Sequence, residues 1–230
     1  MSGMRVDDAT AALRSMLATG RSQPVPGVDR DELMAAMAEL HDEAVAAFVR
    51  RGFPASVAEA SLADVPRKVE TYGDLVDDGW LLMVFSGEVV ALGRLQFERQ
   101  AGEQGRNIHI PELGPLDPAA VDESLAWAAR TFDDGAPLIC ESWIFDERLS
   151  GLPASSNLRR FVDRFDWTPA PASEEGARDL AKFVFRSTPE RVVAEPLRAH
   201  ASSVERIAYA ALTGGGLWSA GFGRLATVAR

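Results

Sequence analysis

A strand, a turn and a helix follow one another in "NIHIPELGPLDPAAVDESLAWAARTF", residues 107–132. The extended apolar segment stops at Pro111, the chain turns at Gly114, and Asp117 followed by Pro118 is typical of a helix N-cap and first helical position. Such a turn often holds a phosphate, because backbone N–H groups and the positive end of the helix dipole point into it. It is also an ordinary way to join a strand to a helix, and the residues alone leave both interpretations open.

The chain before this stretch changes its periodicity at Trp80. From Val6 to about Leu62 the apolar residues recur at helical spacing, which predicts a small helical region. After it, the run "WLLMVF", the turn "SGE" and the alternating "VVALGRLQFER" predict a β-hairpin, with Gly93 at a bulge or a close backbone approach.

The remaining segments predict further strands and helices. A strand around Ile108 to Ile110 and a helix from Pro118 to about Phe132 come first. "APLICESWIF" then predicts a strand, "SSNLRRFVDRFDW" a short helix, "DLAKFVFRS" another strand, and "SSVERIAYAALTGGG" a helix with a Ser202/Glu205 capping box and a glycine-rich tail. The order predicts a mixed α/β fold, with a helical region over residues 1–65 and an α/β domain over residues 66–230.

Composition excludes several classes of function. The formal charge of −10 disfavours non-specific binding to nucleic acid or to anionic membranes, which need clustered cations. It also raises the local concentration of cationic ligands such as amines, although a surface that is acidic only for solubility explains the charge equally well. Apolar runs fall short of the roughly 20 residues that cross a bilayer, and the N-terminus lacks the pattern of a signal peptide, so a cytoplasmic protein is expected. Cys140 is the single cysteine, and neither a disulfide nor a metal site is expected.

Several short stretches resemble a known family. "SNLRRFVDRFDW" resembles the Asn-led helix of GCN5-related N-acetyltransferases, with Asn157, Phe161 and Trp167 in matching places. A closer resemblance is to bacterial acyltransferase-domain proteins in which a helical region precedes a GNAT-like domain. It rests on "LGRLQFE", "HIP", "GPLDPAAVDESL", "CESW" and "SNLRRF", which occur in the expected order.

The resemblance implies a mixed, mainly antiparallel sheet flanked by helices. It also implies an enzyme that transfers an acyl group from acetyl-CoA or another acyl-CoA to an amine by direct attack in a ternary complex. Such a reaction needs a base for the incoming ammonium and an acid or dipole for the departing thiolate. No covalent acyl-enzyme and no metal are required, so Cys140 is expected to be a small buried thiol.

By this resemblance, six residues are expected to contact the acyl-CoA: Arg94, Leu95, Gln96, Gly114, Leu116 and Asn157. Each has a structural alternative. Arg94 would equally suit a cross-strand salt bridge, and Asn157 a helix N-cap. The turn around Gly114 departs from the family's usual phosphate loop, because Pro115 and Pro118 lack N–H donors and the carboxylates of Glu112 and Asp117 repel phosphate.

Three residues are candidates for the chemistry. His109 alternates with two isoleucines, and its imidazole is able to exchange a proton near neutral pH, although a hydrogen-bonded structural histidine fits equally. Glu141 would be a serviceable base if its strand buried it, or an ordinary solvated residue if the strand has a wet face. Ser142 is a weaker candidate for the acid.

A competing hypothesis is a GNAT-like module that has lost catalysis and binds a small ligand or a partner protein. The unusual turn and the absence of a tyrosine acid from the motifs favour it, since the only tyrosines are Tyr72 and Tyr209. A scaffold that oligomerises through helices is a third hypothesis, and a homodimer is compatible with the enzyme.

Overall fold

The computed structural model describes residues 3–226. Backbone contacts divide the chain into two compact units, the first ending at Gln100 and the second beginning at Ala101. The domain boundary expected after residue 65 stays a prediction. No helix among the described residues is both long and apolar enough to cross a membrane.

Helices dominate the first unit, as the periodicity predicted. Asp29 caps one of them through a capping box, since its side chain accepts from the Glu32 N–H and the Glu32 side chain accepts from the Asp29 N–H. The chain leaves another helix through Gly52, which has φ +91°. The six α-helices are α1 (Gly3–Thr19), α2 (Arg30–Glu39), α3 (His41–Arg50), α4 (Ala55–Leu62), α5 (Asp64–Tyr72) and α6 (Asp78–Ser86).

The segment "WLLMVF" lies in helix α6, so the prediction of a strand there is wrong. Asp77 caps this helix by accepting from the Gly79 N–H, and Gly87 ends it in the left-handed conformation at φ 79°. A continuous apolar run has no periodicity of its own, because a buried helix and a buried strand are both apolar on all sides. The two caps were the signal that would have identified a helix.

The β-hairpin is formed by β1 (Val89–Leu92) and β2 (Leu95–Glu98). The strands pair antiparallel from Val89 opposite Glu98 to Leu92 opposite Leu95. Gly93 and Arg94 therefore form a tight turn, and Gly93 has φ +73°. The predictions of one long strand and of a bulge at Gly93 are wrong, because the glycine reverses the chain.

The second unit alternates strands and helices, and its four strands lie side by side in the order β3-β4-β6-β5, in which β3 and β4 are parallel and the other pairs antiparallel. This arrangement confirms the mixed α/β class. The strands are β3 (Arg106–His109), β4 (Leu138–Ser142), β5 (Phe165–Thr168) and β6 (Gly221–Leu225). The helices are α7 (Pro118–Thr131), α8 (Asn157–Val162), α9 (Glu174–Phe185), α10 (Pro189–Ala194) and α11 (Ser203–Thr213), with a 3-10 helix over Glu147–Gly151.

The glycine-rich tail supplies strand β6, which the sequence did not predict. Gly221 and Gly223 face the ring and backbone of Phe145, and a Cβ at either position would lie within 2.7 Å of that residue. Phe145 is fully buried and packs on Phe165 and Trp167 at 5.4 and 5.8 Å between ring centroids. The glycines therefore make room for an aromatic residue against one face of β6.

Two more segments differ from the sequence-based predictions. "DLAKFVFRS" lies in helix α9 and its ending, where Ala177, Leu180 and Ala181 are buried at helical spacing, so the strand prediction is wrong. β5 is formed by the "FDWT" that was included in a short helix. The Ser202/Glu205 capping box at the start of α11 is confirmed.

Candidate active site

Strands β3 and β4 pair over only part of their length. The parallel ladder joins Arg106 to Leu138 and Asn107 to Ile139. Beyond it, β3 continues to His109, while β4 continues to Ser142 with only β6 as its partner in this unit. The ladder between the two strands thus ends before their carboxyl ends, where ligands bind in many sheets with parallel strands.

The other end of this strand pair is held closely together. Gly105 lies so near β4 that a Cβ on it would be 2.3 Å from the Pro137 oxygen. The Arg106 N–H donates to the same oxygen at 2.8 Å. The buried Arg106 guanidinium pairs with Asp134 at 2.6 Å and stacks on the Phe132 ring at 3.7 Å. These contacts fix the amino ends of the two strands.

The three candidates for the chemistry lie on these two strands. His109 is the last residue of β3, is half-buried, and interacts with another group of the protein. Glu141 is exposed on β4, so the condition of burial in the sequence hypothesis is not met. Ser142 is half-buried and its Oγ accepts from the Ile144 N–H at 3.4 Å.

Cys140, between Ile139 and Glu141, is fully buried. Burial, followed by the nearby charge of Glu141, raises the pKa of its thiol to about 12. A thiol held neutral in this way is a poor nucleophile, which confirms the expectation of a small buried residue.

Helix α7 begins with its backbone donors already occupied. Asp117 Oδ1 accepts from the N–H groups of Ala119 and Ala120, both at 3.1 Å, and the Val121 N–H donates to the Asp117 carbonyl. Pro118 has no N–H to offer. The caps at Asp117 and Pro118 are confirmed, and the helix end offers a phosphate no unused N–H among its first four residues.

The loop before α7 carries two of the predicted acyl-CoA contacts. Gly114 is exposed with φ +79°, and a Cβ there would meet nothing within 4 Å. Leu116 is half-buried, while its neighbour Leu113 is 45% exposed. The bend therefore needs glycine because of its positive φ, and not because a neighbouring atom leaves no room for a side chain.

Asn157 is the first residue of α8 and does not cap it. Ser156 is the N-cap, with its Oγ accepting from the Arg159 N–H at 3.4 Å, so the alternative role of Asn157 as a cap is wrong. Arg164, which follows α8, pairs with Asp122 and donates to the Pro118 carbonyl at 3.3 Å. The sequence did not single out Arg164, although it ties α8 to the start of α7.

The other three predicted acyl-CoA contacts belong to the first unit. Arg94 is half-buried in the hairpin turn, and Leu95 and Gln96 are buried in β2. The Gln96 side chain is 1% exposed, and neither its Nε2 nor its Oε1 has a hydrogen-bond partner in the described part of the chain. A buried amide without partners is costly, so Gln96 is the most unusual polar residue of this unit.

Comparisons with known proteins give a consistent result. The profile of the GNAT-like C-terminal domain matches residues 89–225. No curated protein matches the chain.

Solved acyltransferases have the same fold. A mutant bound to octanoyl-CoA shares 25% identity at a TM-score of 0.77, and the match covers 96% of this chain and 76% of that one. An acyltransferase with CoA and 10C-teicoplanin shares 26% identity at 0.76, with the same coverages. One with decanoyl-CoA and teicoplanin shares 27% identity at 0.74, covering 96% of this chain and 77% of that one.

The matched profile covers more than half of the chain, including β1, β2 and all four strands of the second unit. The fold match extends over nearly the whole chain. The protein therefore belongs to the family of the GNAT-like C-terminal domain.

Proposed function

We propose that this protein transfers an acyl group from an acyl-CoA to an amine of a small-molecule acceptor. The observation that carries the proposal is the fold match over 96% of the chain to acyltransferases that hold CoA or acyl-CoAs of medium chain length. The position of the candidate residues supports it, because ligands bind at the carboxyl ends of parallel strands in many α/β sheets, and β3 and β4 are such a pair.

Direct attack accounts for all atoms of the reaction. The amine nitrogen adds to the thioester carbonyl carbon, its proton passes to a base, and the C–S bond breaks as the amide forms. The CoA thiolate leaves and is protonated. The products are an amide and free CoA, and no residue of the protein is acylated.

Glu141 or His109 is the base in this proposal, and Ser142 is the acid. Glu141 is exposed on β4, where an incoming ammonium would gain from its negative charge. His109 ends the neighbouring strand and would relay a proton from the same place. Arg94, Leu95, Gln96, Gly114, Leu116 and Asn157 are proposed contacts of the acyl-CoA.

A non-catalytic module that binds a small ligand or a partner remains the second candidate. The capped start of α7 favours it, because the Asp117 carboxylate occupies the N–H groups that a pyrophosphate would use. A catalytic protein of this fold must hold its phosphates through other groups, whereas a module without CoA needs none.

Two measurements distinguish the candidates. The first is the melting temperature with free CoA and with acetyl-, octanoyl- and decanoyl-CoA, because a ligand at 100 times its Kd stabilises by about 2.7 kcal/mol. The second is the release of CoA thiol when a panel of primary amines is added. Stabilisation together with amine-dependent release is expected.

Variants test the base. Glu141→Gln or His109→Gln is expected to lower kcat by about 10²-fold or more while acyl-CoA affinity stays within about twofold. Asp166→Asn is the matched control, since Asp166 is an exposed carboxylate on β5. Binding without release with any amine would favour the module, and the lack of binding to any CoA would contradict the proposed reaction.

The acidic charge supports an amine acceptor, because the protein attracts cations at long range.

A homodimer and a cytoplasmic location stay predictions. Light scattering of the purified protein would test the first, and a helix-mediated scaffold would be contradicted by a monomer.

A further inference from the structure

A small cleft opens in the second unit between the segment after β4, the 3-10 helix, α8 and β5. Its volume is about 40 Å³. The apolar part of its lining consists of Ile144, Leu149, Leu152, Leu158, Val162 and Trp167. Four of the six are buried in the core, while Leu158 and Trp167 are half-buried. The cleft is therefore an accessible depression with a hydrocarbon floor.

The charged groups of the cleft already have partners. Asp146 accepts from the backbone and guanidinium of Arg148 and from the Ser219 N–H. Arg159 pairs with Asp163 at 2.6 Å and donates to the Ser150 carbonyl. A charged ligand group would have to displace these partners. The cleft therefore favours an uncharged hydrocarbon group.

The position of the cleft connects it with the candidate active site. Ser142 at the end of β4 precedes Ile144 by two residues, and Asn157 at the start of α8 precedes Leu158. Arg164 holds the other end of α8 against Pro118 and Asp122 at the start of α7. The cleft is thus lined by α8, which carries Asn157, and by the segment that follows Ser142.

We propose that this cleft receives the distal end of the acyl chain and limits the chain length that the protein accepts. The inference rests on the proposed function, which supplies an acyl-CoA. A water-sized position takes about 10–15 Å³, so the cleft has room for about three carbons of a chain. Each methylene buried there is expected to tighten binding about fourfold.

Substitutions at Leu158 test the proposal in both directions. Leu158→Trp fills the cleft and Leu158→Ala enlarges it, and the half-buried position limits the effect on folding. Val193→Trp is the control, because Val193 is 47% exposed on α10 and does not line the cleft. The Kd values of free CoA and of acyl-CoAs with chains of two to twelve carbons are measured without an acceptor. No apolar part of an acceptor can then occupy the cleft in place of the acyl chain.

The expected result is a change in the chain-length profile. Leu158→Trp should raise the Kd of the longest acyl-CoA that the wild type binds well by about tenfold or more, and leave the Kd of acetyl-CoA within about twofold. The chain length that binds best should become shorter. Leu158→Ala should shift it to longer chains, and Val193→Trp should leave it unchanged.

Two other results would overturn the inference and differ from each other. In the first, the wild type binds acyl-CoAs and both Leu158 variants keep its chain-length profile. The proposed function would then stand, and the end of the acyl chain would bind elsewhere. No binding of any CoA by the wild type would contradict the proposed function, and the inference with it.

Discussion

The close approach at Gly105 makes a single methyl group a test of how β3 and β4 are held. Its φ of 142° and the 2.3 Å that would separate an alanine Cβ from the Pro137 oxygen leave no room for a side chain. Gly105→Ala is therefore expected to lower the free energy of unfolding by about 1–3 kcal/mol, because the strands must move apart. Urea unfolding followed by circular dichroism measures this change.

Gly151→Ala is the matched control for this substitution. A Cβ at Gly151 would meet nothing within 4 Å, and its φ lies outside the range that disfavours other residues. Its effect on stability should stay within about 0.5 kcal/mol. Equal effects of the two alanines would show that the strands do not depend on this contact.

Cys140 provides a second test with one residue. Because burial raises the pKa of its thiol to about 12, the folded protein should react with a disulfide reagent only through opening of the structure. Denaturant should expose one reactive thiol for each chain. Cys140→Ala should retain acyl transfer within a few-fold, whereas complete loss with an intact fold would indicate an acylated cysteine.

Two segments that are distant in sequence meet at Asp146, and this residue therefore tests how elements are joined. Burial opposes the ionised form of its carboxyl, but hydrogen bonds from the Arg148 side chain and from the N–H groups of Ser219 and Arg148 outweigh burial and lower the pKa from 3.8. Arg148 also stacks on Trp218 at 4.1 Å and donates to the Leu217 carbonyl. These contacts fix the chain that leads into β6.

A lowered folded-state pKa gives stability that is present above the unfolded value and lost as pH falls through the folded value. Asp146→Asn is expected to cost about 1–3 kcal/mol near neutral pH, and this difference from the wild type should shrink as pH falls below 3.8. Unfolding of both proteins is measured from pH 7 to pH 2. A difference that stays constant in acid would contradict the role of the Asp146 charge.

The start of α7 allows the charge of its cap to be separated from its hydrogen bonds. Asp117→Asn keeps an acceptor for the Ala119 and Ala120 N–H groups but removes the negative charge, so CoA affinity should rise about two- to fivefold at low salt. Asp117→Ala should in addition lower stability by about 1 kcal/mol. Calorimetric titration and thermal unfolding measure the two effects, and an unchanged CoA affinity would place the phosphates away from this loop.

At the scale of elements, the sequence predicted best where a side chain and its local backbone decide the structure. The caps at Asp29, Asp117 and Ser202 are such cases, because each needs only its own helix. The failure at β6 has another cause, because its glycines depend on contact with the distant Phe145 and no local pattern contains that information. At α6 and α9 the local caps at Asp77 and Ser173 were present, but the apolar residues were interpreted as strands.

For the whole molecule, the sequence placed the family correctly and placed the candidate residues on particular strands and loops. His109, Glu141 and Ser142 do lie on two neighbouring strands. The exposure of Glu141 and the hydrophobic cleft beside α8 were not predictable, because both depend on how helices and strands pack around them. The roles of these residues stay predictions.

The net charge leads to a prediction that involves the whole molecule. A chain with formal charge −10 repels the phosphates of CoA at long range, and salt screens this repulsion as the Debye length falls from about 30 Å to about 8 Å. The association rate constant of CoA should therefore rise by about threefold between 10 and 150 mM salt, opposite to the usual trend for a cationic site. Stopped-flow tryptophan fluorescence can follow binding, since the chain has five tryptophans.

Pantetheine is the matched ligand, because it has the same arm without the phosphates. Its association rate should change little with salt. If the rate for CoA instead falls as salt rises, local cations at the entrance must outweigh the total charge, and arginines near the site would become the phosphate ligands to test. If the association rate rises with salt for CoA but not for pantetheine, binding depends on the pantetheine arm and the acyl chain. This is expected for a site whose helix end is capped by a carboxylate.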